Sequence, residues 1–276
     1  MTYGKCAETT LQELPDAFGK AVGLFLVVAS LFASLPQVIK LIRVKTSVGV
    51  APLTLAIINV FAGSNLSSSL VVKWPQIQAC STSSSCVYLL LDVLQQLASA
   101  IVFSTLLLLV VSLPPHNTRA YRALATFTIS LLLSLLLAAC LLSGFSPCSH
   151  AALDYSTSIS ILSAVCAIVA YVPQLIDTWR CGSAGSLSPL FLAIQVAGCL
   201  LVNYNQIFVN HDPATVWVPV MVSGVMQATI LGLIGYFRLR PRGRATRLTS
   251  TPTLPLLMEQ IDCPSRHRLD EVPRGH

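Results

Sequence analysis

One ten-residue segment occurs twice in the chain, and this duplication constrains the fold more than any other feature of the sequence. The two copies are residues 34–43 and 171–180, and each has a Pro-Gln pair in an apolar run that ends at an arginine. An offset of 137 residues aligns residues 36–57 with residues 173–194 without a gap, and nine of these 22 positions are identical. Two unrelated apolar segments would share roughly two or three identities. The sequence therefore predicts two copies of one structural unit.

The low content of charged residues predicts a membrane protein. Only 10% of the 276 residues are charged and 54% are hydrophobic, whereas an ordinary soluble domain carries about 25% charged residues. So few charges cannot cover a globule of this size, and the mean hydropathy of +0.73 agrees. We therefore expect a polytopic protein with the lipid bilayer as a partner. Eight of the 17 basic residues lie beyond Tyr236, which indicates membrane topology and no nucleic-acid partner.

Seven apolar runs are long enough to cross a bilayer, which takes about 20 residues each. They fall at residues 18–42, 52–72, 87–112, 122–144, 156–179, 189–209 and 214–237. The N-terminal 17 residues carry three acidic residues against Lys5, so the first run is expected to be a retained helix rather than a signal peptide. The second run is the least typical, because one half of it is crowded with the polar residues Ser64, Asn65, Ser67, Ser68 and Ser69.

The basic residues predict the orientation of these helices. With the N-terminus outside, 14 basic residues lie on the inner side and only Lys5, Lys20 and Lys73 lie on the outer side. This bias predicts a lumenal N-terminus and a cytosolic C-terminus. His211 and Asp212 then fall in a lumenal loop, where we expect them to be solvated.

The orientation also explains how the two copies are joined. Each copy has three helices, so direct joining would invert the second copy, and the fourth helix restores a parallel arrangement. The predicted fold is all-α, with two parallel three-helix repeats joined by a linker helix (3+1+3). The predicted segments are a lumenal N-terminal segment (1–17), the first repeat (18–112), the linker helix with its loops (113–150), the second repeat (151–237) and a disordered basic cytosolic tail (238–276).

The cysteines and the remaining polar residues indicate no metal site and no enzyme. Cys80 and Cys86 flank a Ser/Thr-rich loop on the lumenal side and can form a disulfide bond. The chain has no CxxC motif and no Cys/His cluster. It has no glycine-rich phosphate loop and no nucleophile–base spacing either, so we expect no catalytic residue and no cofactor.

The Pro-Gln pairs are the first candidate functional residues. A proline inside a helix removes a hydrogen bond to the carbonyl four residues earlier and bends the helix. In lipid that carbonyl needs a new partner, and the adjacent Gln37 or Gln174 amide can supply one. A single proline of this kind is usually a packing kink. Two pairs at equivalent places in a duplication favour hinges, at Pro36 and Pro173.

Leu35-Pro36-Gln37 and Val172-Pro173-Gln174, in repeats joined by a linker helix, resemble the PQ-loop family. That family includes the lysosomal cystine and cationic amino-acid exporters and is related to the SWEET sugar transporters; the resemblance covers residues 20–237. The first motif and Gly185-Ser186-Leu187-Ser188 also resemble the branch that contains the mannose-P-dolichol utilisation defect protein. This chain keeps the second Pro-Gln pair, which that protein loses.

The resemblance implies roles for two sets of residues. Pro36, Gln37, Pro173 and Gln174 would be hinges for alternating access. Polar residues of the second and sixth helices would line a solute site between the repeats, and the candidates are Asn59, Asn65, Asn203 and Asn205. An asparagine facing lipid is costly, so these side chains should point inward. The alternative is that each makes only an interhelical hydrogen bond, worth about 0.6 kcal/mol.

Asp92 is the strongest single candidate for a functional residue. It lies near the lumenal start of the third predicted helix, at a spacing that places it on one face with Gln95 or Gln96. A carboxylate inside the bilayer costs about 2.5 kcal/mol or more and is by default a functional candidate. One hypothesis is that Asp92 couples proton movement to solute export; the other is that it is shallow and solvated.

Two functions follow from these observations. The first is an endomembrane carrier, of the lysosome or vacuole or of the ER or Golgi, that moves a small polar solute of the amino-acid or sugar class, with protons as a second candidate cargo. The second is a non-transporting membrane factor for the use of dolichol-linked sugars in glycosylation. No protein partner is indicated. A seven-helix receptor is disfavoured because receptor helices are not duplicated in this way.

Overall fold

The computed structural model describes residues 17–33, 35–47, 50–80, 84–147, 149–181 and 189–239. This part of the chain is all-α and contains no strand. Its α-helices are α1 (Ala17–Ala33), α2 (Leu35–Val44), α3 (Pro52–Ala79), α4 (Leu91–Ser112), α5 (Arg119–Phe145), α6 (His150–Cys181), α7 (Pro189–Tyr204) and α8 (Ala214–Leu239). A 3₁₀ segment, Ser84–Leu90, precedes α4, and a π-helical segment, Asn205–Val209, follows α7.

Six of these helical stretches are long and apolar enough to cross a membrane, and α1 is a shorter apolar helix. With α1 and α2 in the place of the first predicted run, the described helices agree with the seven predicted spans. The residues at the first positions of several helices explain where those helices begin. Pro52 and Pro189 are the first residues of α3 and α7, where a missing N–H costs nothing. Thr118 caps α5 by accepting a hydrogen bond from the Tyr121 N–H at 3.4 Å.

The two predicted repeats have the same internal packing. In the first repeat (α1–α4), α4 packs between α1 and α3, and in the second repeat (α6–α8), α8 packs between α6 and α7. Leu55 and Leu192, which the 137-residue offset aligns, are both buried in apolar clusters, Leu55 with α4 and Leu192 with α8. Equivalent residues therefore make equivalent contacts, as expected for a duplicated unit.

The repeats meet mainly through α3 and α6, which pack along each other extensively. The linker helix α5 packs on α3 and touches α6 more lightly. On the other side of the molecule, α1 contacts α7 and the π segment over a small area. Helix α3 is thus surrounded by α4, α5 and α6, with α8 at its edge, and it occupies the centre of the protein.

The two ends of the bundle differ in charge. One end, here called the basic end, carries Arg43, Arg119, Arg122, Arg180 and Arg238 at helix termini. At this end, two hydrogen bonds join the α2–α3 connection to the α4–α5 connection. The Ser47 N–H donates to the Pro114 carbonyl at 2.8 Å, and Ser47 Oγ lies 2.9 Å from His116 Nδ1. At the opposite end, Lys20 lies over the ring of Tyr88 at 5.1 Å.

Helix α3 is longer than the sequence predicts. The expected span ends at residue 72, but α3 continues to Ala79 with Pro75 inside it. Because Lys73 lies in this extension, it is part of a helix and not of a loop. This difference positions the site described next.

Candidate functional site

A row of polar side chains runs along α3 and is buried. Asn59, Ser64, Ser67, Ser68 and Ser69 are each 0% exposed, and Asn65 and Lys73 are each 2% exposed. The crowding of polar residues that makes this the least typical predicted span has a physical reason. The helix is enclosed by other helices, so these groups face protein and not lipid.

Two of these hydroxyls, those of Ser67 and Ser68, bind the second repeat and the linker helix. Ser68 Oγ lies 2.9 Å from Ser156 Oγ of α6 and donates weakly to the Thr215 carbonyl of α8 at 3.4 Å. Ser163 of α6 donates to the Phe61 carbonyl at 3.0 Å. Tyr155 donates to the Leu135 carbonyl of α5 at 2.6 Å and lies 2.9 Å from Ser67 Oγ. The contact between the repeats is therefore polar in the part of α3 from Phe61 to Ser68.

At the end opposite the basic end, three charged side chains form what we call the charge cluster: Lys73, Asp92 and Asp212. Lys73 Nζ lies 2.5 Å from Asp212 Oδ1, and the two side chains are 2% and 3% exposed. Asp92, at the start of α4, is 2% exposed and acts electrostatically on both. Lys73 and Asp92 belong to the first repeat and Asp212 to the connection between α7 and α8. The cluster thus links the two repeats.

The expectation that Asp212 is solvated in a lumenal loop is wrong, whereas the neighbouring His211 is exposed as expected. The cause is the loop's path. The Asp212 N–H donates to the Gln206 carbonyl at 2.7 Å, and the Asn210 N–H donates to the Asn205 carbonyl at 2.8 Å. These bonds turn the chain back so that the carboxylate points to α3. Burial and the adjacent Asp92 raise the pKa of Asp212 to about 7, while Lys73 acts in the opposite direction.

Asp92, Gln95 and Gln96, the residues proposed for proton coupling, are all buried. Neither oxygen of Asp92 has a hydrogen-bond partner among the described residues. With 2% of its surface exposed, the Asp92 side chain is not solvated as the second hypothesis requires. The role of the three residues in coupling stays a prediction.

All four candidate asparagines are buried, as expected for inward-pointing side chains. Asn59 accepts a hydrogen bond from Ser104 Oγ of α4 at 3.1 Å. Asn203 donates to the Cys199 carbonyl of its own helix at 2.7 Å. Asn65 Oδ1 and Asn203 Oδ1 have no partner among the described residues, so both keep acceptor capacity.

The two Pro-Gln pairs lie in different local structures. Pro36 is the second residue of α2, a position at which proline is tolerated; the side chains of Pro36 and Gln37 lie outside the described residues. Pro173 lies inside the continuous helix α6, where it removes a hydrogen bond to the Val169 carbonyl. Gln174 is half-buried. Their role as hinges stays a prediction.

Sequence reasoning missed one polar group in the second repeat. Gln227 Nε2 of α8 donates to Tyr171 Oη of α6 at 2.7 Å and to Ser223 Oγ at 3.1 Å. Tyr171 directly precedes Val172 and Pro173, so this bond joins the part of α6 that contains the second Pro-Gln pair to α8. An amide in an otherwise apolar span is the signal that could have identified it.

Cysteines and metal ligands add little to this site. Cys80 takes part in a disulfide bond, but the side chain of Cys86 lies outside the described residues, so the pairing of these two stays a prediction. Within the described ranges, no three His, Cys, Asp or Glu side chains come close enough together to hold a metal ion.

Comparison with known proteins gives a family match and one relative. Residues 155–214 match the family model described as the PQ loop repeat. An uncharacterized protein of the fission yeast Schizosaccharomyces pombe is 30% identical over 138 residues, which is 49% of this chain and 42% of that protein. The match therefore spans less than half the length of this curated relative. No solved structure matches the chain significantly.

Proposed function

We propose that this chain, of which residues 155–214 match the PQ loop repeat, is an endomembrane carrier that moves a small polar solute, of the amino-acid or sugar class, by alternating access. The proposal depends mainly on the polar contact between the repeats. Polar residues inside a membrane are costly and mark solute pathways when they face the interior of a bundle. Here they line the contact between α3 and α6, which is where a pathway between two rocking repeats would run.

The proposed solute site lies between the repeats, near the buried asparagines. Asn65 of the first repeat and Asn203 of the second each have an amide oxygen without a partner among the described residues. Two such acceptors on repeat-related helices suit a solute with hydrogen-bond donors, such as an amino group or sugar hydroxyls. Asn59 and Asn205 complete the candidate set.

The proposed hinges are the two Pro-Gln pairs. Pro173 leaves a carbonyl of α6 without its intrahelical bond, and a helix weakened at that point can bend with little cost. The orientation follows the charges: the basic end would face the cytosol and the charge cluster would face the lumen. Lumenal protons would then reach Asp92 first, which supports a coupling role for it.

Uptake by proteoliposomes tests the carrier function. The purified protein is reconstituted and offered a panel of radiolabelled amino acids and sugars, with and without an imposed pH gradient. We expect saturable uptake of one solute class, a several-fold loss of rate in Pro173→Ala, and little change in Pro219→Ala, a matched control with a proline inside α8. An Asp92→Asn variant should change the pH profile of uptake. If Asp92→Asn has the same pH profile as the wild type, Asp92 does not couple protons to transport. If no solute of the panel is taken up, the proposed carrier function is contradicted.

A specific observation favours a second function, a factor for the use of dolichol-linked sugars. A groove of about 190 Å³ lies between α7 and α8; Asn203 lines it together with apolar residues that include Leu200, Met221 and Val225. Leu200 and Val225 are 67% and 58% exposed, so the groove opens towards the surrounding lipid, as a lateral site for a long isoprenoid chain would. This function would be favoured if no solute of the panel is taken up and a dolichol-phosphate analogue photo-crosslinks to this groove.

A further inference from the structure

The charge cluster has more negative charge than its one lysine can neutralise. Lys73 pairs with Asp212, and Asp92 adds a second carboxylate that is only 2% exposed. No basic side chain among the described residues forms an ion pair with Asp92. A charge that is removed from water without a counter-charge is strongly destabilising. The cluster is therefore short of one positive charge.

Several oxygen atoms of this region have no hydrogen-bond partner among the described residues. They are both carboxylate oxygens of Asp92, Oδ2 of Asp212 and the amide oxygen of Gln206. The charge of Asp92 acts on both Lys73 and Asp212, so its carboxylate is directed at their ion pair. Gln206 is 0% exposed, and its backbone carbonyl accepts a hydrogen bond from the Asp212 N–H, which holds it beside the cluster. A group that binds here must bring positive charge and bind to oxygen atoms.

A helix end adds to the negative potential at the same place. Helix α7 continues into the π-helical segment Asn205–Val209, which ends shortly before Asp212. The carbonyl end of a helix carries roughly half a negative charge. In membrane carriers built from repeats, such helix ends and irregular backbone carbonyls coordinate sodium ions. The backbone next to Asp212 therefore favours the same kind of ligand as the side chains do.

We propose that the charge cluster binds one monovalent cation, either an alkali-metal ion or a primary ammonium group, between Asp92 and Asp212. The charge of the cluster sets the charge of its ligand, because a divalent ion would leave an excess positive charge. Carboxylate and amide oxygens suit a hard cation, and the N–H donors of an ammonium group would bind the same acceptors. The bound cation would join α4 of the first repeat to the α7–α8 connection of the second. This site goes beyond the proposed carrier function and can be measured without any transported solute.

Thermal unfolding of the purified protein in detergent micelles tests the site at about pH 8. The reference salt is N-methyl-D-glucamine chloride, whose cation is too bulky for the cluster. It is replaced stepwise, at constant ionic strength, by sodium chloride, potassium chloride or methylammonium chloride. A ligand that binds only the folded protein raises its stability with concentration, so we expect a saturable rise in Tm of several degrees. The metal salts and methylammonium distinguish the two kinds of cation. The same Tm in all four salts would overturn the proposal and favour a proton shared by Asp92 and Asp212.

Asp92→Asn removes the excess charge and should give a response that a purely structural residue would not give. In the reference salt its Tm should equal or exceed that of the wild type, because no uncompensated charge stays buried, and the small cations should change it little. Asp154→Asn, a change of an exposed acidic residue at the same end, should respond as the wild type does.

A second variant keeps the proposal falsifiable if Asp92→Asn misfolds. Gln206→Met keeps the charge of the cluster but removes one oxygen ligand, so the cation concentration that gives half of the rise in Tm should increase several-fold. A wild-type response in both variants would place the cation elsewhere and overturn the site. A saturable response of the wild-type protein with no uptake of any solute would keep the site and reject the carrier.

Discussion

Helices α3 and α7 are equivalent members of the two repeats, yet they have opposite surroundings. In the most apolar 18 residues of α3, 67% of the residues are buried. In the corresponding 18 residues of the stretch that contains α7, only 28% are buried. Residues 62–69 of α3 are all buried. Helix α7 instead exposes a row of large apolar side chains, namely Leu190, Ile194, Leu200 and Tyr204.

The linker helix explains the difference. It packs on α3, and among the described helices none covers α7 in the same way. One repeat therefore has a covered second helix, and the other has a second helix with an exposed apolar face. A helix that other helices cover can carry polar side chains that a lipid-facing helix cannot. Helix α3 carries asparagine, serine and lysine side chains that protein groups surround, whereas α7 keeps an apolar outer face. A duplicated unit has thus become one central and one peripheral half.

The largest expected effect is at the contact between α3 and the linker helix. A Cβ added at Gly63 would lie 1.5 Å from Leu132 Cδ2 and 2.8 Å from its Cγ, and Leu132 is itself buried. We expect Gly63→Ala to lower the free energy of unfolding by about 1–3 kcal/mol, the usual cost of overpacking. Unfolding in mixed detergent–SDS micelles measures this.

The control for this variant lies on α7. A Cβ at Gly198 would meet no atom within 4 Å, so Gly198→Ala should be neutral or slightly stabilising through its helix propensity. The offset of 137 residues aligns Gly63 with Leu200, which is 67% exposed. Equal losses for Gly63→Ala and Gly198→Ala would contradict the view that only α3 is closely covered.

A smaller effect is expected where α3, α5 and α6 share one hydrogen-bond group. Tyr155→Phe removes the bond to the Leu135 carbonyl and the contact with Ser67 Oγ, but Ser67 still donates to Leu135 at 3.1 Å. We expect a loss of about 1 kcal/mol in the same unfolding assay. Tyr204→Phe changes a 45%-exposed tyrosine of α7 and should change stability much less. A larger loss for Tyr204→Phe than for Tyr155→Phe would reverse the comparison.

The sequence predicts the helices of this protein well and its central site poorly. Apolar runs and terminal prolines are local signals, so most described helix ends lie within a few residues of the predicted ones. The nine identical positions shared by residues 36–57 and 173–194 likewise predict equivalent packing without any structure.

The pairing of Lys73 with Asp212 has no local signal. The two residues are far apart in the chain, and Lys73 follows the predicted end of its helix, where Pro75 argues for a loop. The structure continues α3 through Pro75 and buries the lysine. One physical argument could have found the pair: a lysine next to an apolar run needs a counter-charge, and Asp92 and Asp212 are acidic residues predicted at the same end.

The smallest expected effect concerns a single bond between the repeats. Ser163 of α6 donates to the Phe61 carbonyl of α3 at 3.0 Å, whereas Ser158 of the same helix donates to the carbonyl of Asp154 within its own helix at 2.8 Å. Ser163→Ala should cost about 0.6 kcal/mol, the average for an interhelical hydrogen bond in a membrane, and Ser158→Ala should cost less. Ser163 binds α3 from the other repeat, whereas Asn203 of α7 donates to a carbonyl of its own helix. The loss in Ser163→Ala should therefore appear as easier separation of the repeats. Crosslinking between cysteines placed in α3 and α6 measures this directly, and a change confined to α7 and α8 would count against α3 as the centre of the protein.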